Sequence, residues 1–273
     1  MDALLNHPAI QAAAAPFLAG LITAGLLYRA RMGGLAVVAG FAAAVALISG
    51  FNFSPLTATR KIVLLGLLAP AMGLALDWFA KPSRLLNTAL ALLAAAASIW
   101  VFWSVLVQKE LADALRLGAI VAASTGITVA LTLSLTARPV RLAAAGLCLG
   151  LGAGIAAVLA ASALYGQYGI AVGAACGAVL LLQMVLGRAV PTGITFALSA
   201  SLLAGLFGAA AMLLASLHWT ALALLCLAPL AARLPLPKKM PVWLEAIVVA
   251  LFCMLPAMAA FYLTWTSAHG SQG

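Results

Sequence analysis

The chain reads as an all-α polytopic membrane protein of about ten transmembrane helices, and three observations predict it. Apolar residues make up 66% of the 273 positions and charged residues only 7%. A soluble domain carries roughly a quarter charged residues, so too little polar surface exists here to clothe a globule in water. The few charges fall between long apolar runs. Those runs approach the roughly 20 residues that a helix needs to cross the hydrocarbon core. Strands of a membrane β-barrel would alternate polar and apolar at every second residue, and these runs do not. Backbone groups in lipid must be satisfied within their own segment, which leaves helices.

Ten segments come near the required length: 10–28, 33–50, 62–80, 85–107, 115–135, 142–165, 170–186, 194–217, 219–233 and 244–265. The first has no basic stretch before it, because the first basic residue is Arg29. Leu18–Leu27 therefore reads as part of a retained helix rather than a cleaved signal. The third carries Pro70 midway and ends at Asp77-Trp78. The eighth and ninth come from one apolar run, Ile194 to Ala232. As a single helix that run would be about 58 Å long, too long for one crossing. The polar, interfacial pair His218-Trp219 is the natural break. The ninth segment is then short, with Pro229 inside it, and either crosses or re-enters.

Basic loop residues decide between those options, because Lys and Arg collect on the cytoplasmic side. With the N-terminus outside, the inner loops hold ten: Arg29, Arg31, Lys81, Arg84, Arg138, Arg141, Arg188, Arg233, Lys238 and Lys239. The outer loops hold four: Arg60, Lys61, Lys109 and Arg116. A re-entrant ninth segment would move three of the ten outside and erase the bias. The charges thus favour ten crossings with both termini outside, in a bacterial cytoplasmic (inner) membrane. The formal charge of +9 is explained by topology, so nucleic acid is not an expected partner.

Residues 1–273 form a single integral membrane domain that divides into possible repeat halves, 1–136 and 137–273. His7-Pro8-Ala9-Ile10 resembles Arg138-Pro139-Val140-Arg141, and Gly34-Leu35-Ala36-Val37 resembles Gly169-Ile170-Ala171-Val172. Tyr28 matches Tyr165, Pro55 matches Pro191, and Asp77-Trp78 matches His218-Trp219. Five helices per half would orient the halves oppositely, giving the inverted repeat of many secondary transporters.

Gly146, Gly150 and Gly154 recur every fourth residue, and Gly173 and Gly177 share the same spacing. Such glycines line one helical face and let another backbone come close, so they are read as helix-packing positions. Ionisable groups in a bilayer are costly and draw attention. Asp77 stands two turns from Pro70 on roughly the same face, with Lys81 and Arg84 as possible salt-bridge partners. Glu245 opens the tenth segment, where an acid complements the helix dipole. Gln183 follows an unbroken apolar run. Pro70, Asp77, Trp78, Gln183, Tyr28 and Tyr165 are the candidate substrate-binding residues. The six Trp lie near segment ends, as interfacial anchors do.

Cys148, Cys176, Cys226 and Cys253 sit in apolar runs without CxxC spacing, so they read as small buried hydrophobes. The scattered His7, His218 and His269 make no zinc or haem motif. No catalytic residues, metal or cofactor are expected. The function expected first is a small secondary transporter or permease acting on an unknown small-molecule substrate. The alternatives are a structural or assembly subunit of a membrane complex, and an embedded enzyme acting on a lipid-linked substrate. The lipid bilayer is the one certain partner, with a homodimer or complex partner as further options.

Overall fold

The computed structural model describes residues 7–30, 32–81, 83–237 and 240–270, with side chains described as far as residue 266. Arg31, Lys238 and Lys239, counted above as topogenic, lie outside the described residues. Ten helices and no strand occur among the described residues. They are α1 (Ile10–Leu27), α2 (Leu35–Ile48), α3 (Ala58–Phe79), α4 (Arg84–Leu106), α5 (Leu111–Leu133), α6 (Pro139–Leu159), α7 (Ala163–Leu186), α8 (Gly193–Leu214), α9 (Trp219–Ala231) and α10 (Val242–Gly270). Eight are long and apolar enough to span a bilayer; α2 and α9 are shorter apolar helices. The chain is an all-α polytopic membrane protein.

Successive helices run in opposite directions, and contacts between distant loops sort the helix ends onto two faces. On the first face, Ser49 pairs with Tyr168, Thr59 with Tyr165, and Ser216 donates to the Ala160 carbonyl. On the second, Asp77 meets α8, Arg141 meets Glu245, and Arg233 donates to Ser134. The ninth helix starts beside Ser216 on the first face and ends at Arg233 on the second. It therefore runs from face to face and does not turn back. It is broken between Leu225 and Ala228. Pro229 has no N–H for the Leu225 carbonyl and its ring crowds that position. By contrast α3 continues unbroken through the buried Pro70.

Helix α8 is the central pillar. Of its most apolar 18-residue stretch, 89% is buried, against α3, α5, α6 and α7. The tightest pair is α6 with α7. An added Cβ at Gly150 would lie 2.6 Å from the Gly173 Cα, and one at Gly154 would lie 2.5 Å from the Ile170 nitrogen. Gly173 faces the Leu151 nitrogen in return, Gly146 faces Cys176 and Phe196, and Gly177 faces Leu147. The glycines thus bring backbone against backbone, where dispersion contacts are densest.

Several boundaries differ from the expected segments: α5 begins at Leu111 rather than 115, α10 runs to Gly270 rather than 265, and two further differences have a clear local cause. The sixth helix ends at Leu159 and the seventh begins at Ala163, not at 165 and 170. Ala161 takes the left-handed conformation at φ 66°. The Ala161 N–H donates to the Val158 carbonyl and the Ser162 N–H to that of Ala157, which is the bonding of a Schellman cap. Glycine normally occupies that position, so an alanine there leaves no mark in the sequence. The third helix begins at Ala58, with the Thr57 hydroxyl accepting the Arg60 N–H at 3.4 Å. Arg60 and Lys61 therefore belong to a helix turn rather than a loop. The Lys61 ammonium reaches the Trp100 carbonyl (3.1 Å) and lies 4.9 Å from the Trp100 ring centre, snorkelling along α4.

Candidate functional site

Polar side chains gather at two pockets, one on each face, and both border α7. The second-face pocket, about 260 Å³, is walled by Tyr28, Arg29 and the loop Arg188–Pro191. Gly187, at φ 62°, turns the chain out of α7 into that loop. Gln183, fully buried, holds the loop in place: its Oε1 accepts the Val190 N–H (3.3 Å) and its Nε2 donates to the Pro139 carbonyl (3.4 Å). Gln183 is thus an anchor between α6, α7 and the pocket wall. The Arg29 Nε donates to the Tyr28 phenol at 3.1 Å. The guanidinium carbons of Arg29 and Arg188 lie 5.8 and 5.5 Å from the centre of the Tyr28 ring. The hydrogen bond and charge of Arg29, with a smaller contribution from Arg188, hold the Tyr28 phenol below its ordinary pKa.

Asp77 stands at the end of α3 beside the start of α8. Its carboxylate accepts the N–H groups of Ile194 (2.7 Å) and Thr195 (3.0 Å) and the Thr195 hydroxyl (2.7 Å). The donors at a helix N-terminus have no partners within the helix, and an acid there is also favoured by the dipole. Asp77 therefore caps α8 from another helix, and forms no ion pair with Lys81 or Arg84 among the described residues. Gly193 makes this possible. It adopts φ 65°, and a Cβ there would lie 2.6 Å from the Asp77 carboxyl carbon. Gly73 and Gly34 meet the same junction, with added Cβ atoms 2.6 Å from the Thr195 Cα and 2.5 Å from the Thr192 carbonyl oxygen. Glu245 is bound as well: it accepts from the Arg141 Nε at 2.7 Å, while the Arg141 Nη1 donates to the Leu234 (2.8 Å) and Ala232 (3.3 Å) carbonyls. That set ties α6, the end of α9 and α10 together.

The first-face pocket, about 270 Å³, is lined by Ser49, Gly50, Asn52, Thr57, Thr59, Arg60, Val63 and Leu164. Beneath it the hydroxyls of Ser49 and Tyr168 are 2.7 Å apart, and those of Thr59 and Tyr165 are 3.0 Å apart. Tyr168 stacks on Phe207 (5.7 Å) and meets Phe41 edge-on (5.7 Å). These buried rings pack behind the lining residues Ser49 and Thr59. Comparison with protein-family models, with curated proteins and with solved structures finds no match to this chain. Its function must therefore be argued from the geometry.

Of the sequence candidates, Tyr28 lies in the second-face pocket and Gln183 fixes that pocket's wall. Tyr165 lies beneath the first-face pocket. Asp77 borders neither pocket and is engaged by α8. Pro70 is buried mid-way along α3, and Trp78 is exposed at the second face. Sequence reasoning missed Arg29 and Arg188 as a pair, because their charge was already explained by topology. It missed Ser49, Thr59 and Tyr168 because isolated hydroxyls in apolar runs carry no spacing signal. A buried hydroxyl series on α5 (Ser124, Thr128, Thr132) and α8 (Ser199, Ser201) also escaped notice. Each donates back to a carbonyl of its own helix, a local use that needs no partner.

Proposed function

We propose that the protein is a small secondary transporter whose path follows the seam between residues 1–136 and 137–273. One observation carries this reading. A polar pocket opens on each face, each lined from both halves near an end of α7, and between them lie the buried rings of Phe41, Tyr168 and Phe207 and the close contacts of Gly20 and Gly40 with Ala175. That is the layout of a path closed midway. Helix pairing supports a duplicated plan: α1 packs on α2 as α6 packs on α7, α4 on α5 as α9 on α10, and α3 meets α8 across the seam. The match is unequal in several respects: α1 packs closely on α7 and α5 on α8, but their counterparts α6–α2 and α10–α3 make at most marginal contact. Helix α6 packs extensively on α8 and α10, whereas their counterparts α1–α3 and α1–α5 make at most marginal contact. Two copies of one unit in different arrangements are what alternating access requires. The bias of basic residues between the loops supports an orientation with both termini outside.

Paired spin labels test the reading. All four native cysteines are buried, so labels can be confined to introduced ones. One pair, at Asn52 and Leu164, spans the first-face pocket. Another, at Ala30 and Ala189, spans the second. The expected result is two distance populations at each face, changing in opposite senses between faces when a solute gradient is imposed across proteoliposomes. A single fixed distance at both faces under every condition would sink the transport reading.

A further inference from the structure

The second-face pocket holds two guanidinium groups that have no counter-charge among the described residues. Every acid among the described residues is placed elsewhere. Asp77 gives both oxygens to α8, and Glu245 pairs with Arg141. Glu110 and Asp113 stand at the start of α5, on the opposite face. No ion pair reaches Arg29 or Arg188 among the described residues. Arg29 spends its Nε on Tyr28, which leaves its two terminal nitrogens available. The Arg188 wall is held in advance by Gln183 on Val190 and by the packing of Gly33 against Pro191 and Val190. Both arginine side chains are exposed, and the fixed loop backbone from which Arg188 extends lowers part of the cost of ordering it on a ligand. Guanidinium forks match the oxygens of phosphate in geometry and charge, and two guanidinium charges balance a phosphate dianion where a single carboxylate would neutralise only one of them. The cavity of about 260 Å³ admits a phosphate with a small substituent but lies below the size usual for drug-like ligands.

We propose that Arg29, Tyr28 and Arg188 form a binding site for a phosphate or small phosphate ester, presented either as a free solute or as a lipid headgroup. In its free-solute form the inference names the substrate class of the transport path and rests on that reading. As a headgroup site it stands without it.

Equilibrium binding tests it on the full-length protein, with inorganic phosphate as the probe. In phosphatidylcholine nanodiscs, radiolabelled phosphate should bind saturably. Arg29→Gln and Arg188→Gln should each weaken binding by about tenfold or more, while Arg116→Gln on α5 should not change it. Arg29→Lys and Arg188→Lys keep the loop charge that orients the chain but lose the fork, so they should also bind more weakly than the native protein. In discs containing phosphatidylglycerol, native mass spectrometry reads the other source. A headgroup occupant would appear as retained phosphatidylglycerol that the same variants release, with little binding of free phosphate. Either pattern supports the site and distinguishes the two sources. If neither phosphate nor phosphatidylglycerol binding depends on Arg29 or Arg188 in variants that stay folded, the proposal is overturned. That failure is separate from the failure of transport, which the spin-label distances report on their own.

Discussion

The α6–α7 pair and the α4–α5 pair are both antiparallel hairpins of apolar helices, yet they are built in different ways. Along α6 and α7, glycine meets backbone at Gly150, Gly154 and Gly173, and little of the shared face is open. Along α4 and α5, close contact is confined to places such as Gly126, where an added Cβ would lie 3.2 Å from the Ala91 carbonyl oxygen. Toward the first face these two helices part around an apolar groove of about 600 Å³ lined by Trp103, Leu106, Leu115 and Gly118. Lipid tails are as apolar as leucine, so burial gives helices no preference for one another over lipid. Only dense packing and hydrogen bonds do. The first pair is therefore a rigid unit, and the second is a pair whose outer contacts lipid can replace.

The largest expected effect breaks that contrast directly. Gly150→Ala should destabilise the protein by about 3 kcal/mol or more, since the new Cβ meets backbone that cannot yield cheaply. Gly118→Ala, whose Cβ meets only the Leu106 side chain at 3.6 Å, should be neutral or slightly stabilising. Thermal unfolding followed by fluorescence-detected size exclusion reads both. Equal losses at the two sites would remove the distinction between rigid and replaceable pairs.

Next in size is Arg141→Met. It leaves Glu245 without its cation and two carbonyls without a donor, at the second-face end of the rigid unit. A loss of about 2–4 kcal/mol is expected, the lower part of that range reflecting the partial exposure of Glu245. Replacing both residues by apolar ones should recover much of it, because removing a whole buried pair costs less than breaking one.

A smaller loss, about 1–2 kcal/mol, is expected for Asp77→Asn, which keeps one acceptor for the α8 terminus. Asp77→Ala should cost more. Hydrogen exchange localised to residues 193–196 would separate loss of the cap from a general loosening. If exchange there stayed unchanged in Asp77→Ala, the capping role would be wrong.

Least disruptive is Arg29→Gln. Phenolate absorbance should show Tyr28 ionising at lower pH than an ordinary tyrosine, and the variant should move that titration back up. A phenol with a depressed folded pKa contributes its full stability above its unfolded pKa, and that gain is lost as pH falls through the folded value. At neutral pH the variant should therefore unfold like the native protein.

Much of the helix map was legible in the sequence because apolar length and punctuation are local signals. Gly187 and the His218-Trp219 pair stand at observed ends, whereas α3, capped by Thr57, begins at Ala58 rather than at the expected 62. Ala161 does not look like a helix end, and so the α6–α7 turn was misplaced. The candidate residues were legible as unusual but not in their roles. Asp77 stood out because acids are rare here, yet its partner, the terminus of α8, lies 117 residues away. Gln183 stood out for the same reason and proves to hold a loop.

What the sequence determined by itself is the solvent and the crossings. Two thirds apolar composition, with charges set between runs, leaves helices in lipid as the one way to satisfy the backbone. What the tertiary structure decided is which polar groups remain free. Asp77, Glu245 and Gln183 are consumed by neighbours brought close across the bundle, while Arg29 and Arg188 meet beside Tyr28 with no acid paired to them among the described residues. Pairing of this kind depends on distance in space, and spacing along the chain does not encode it.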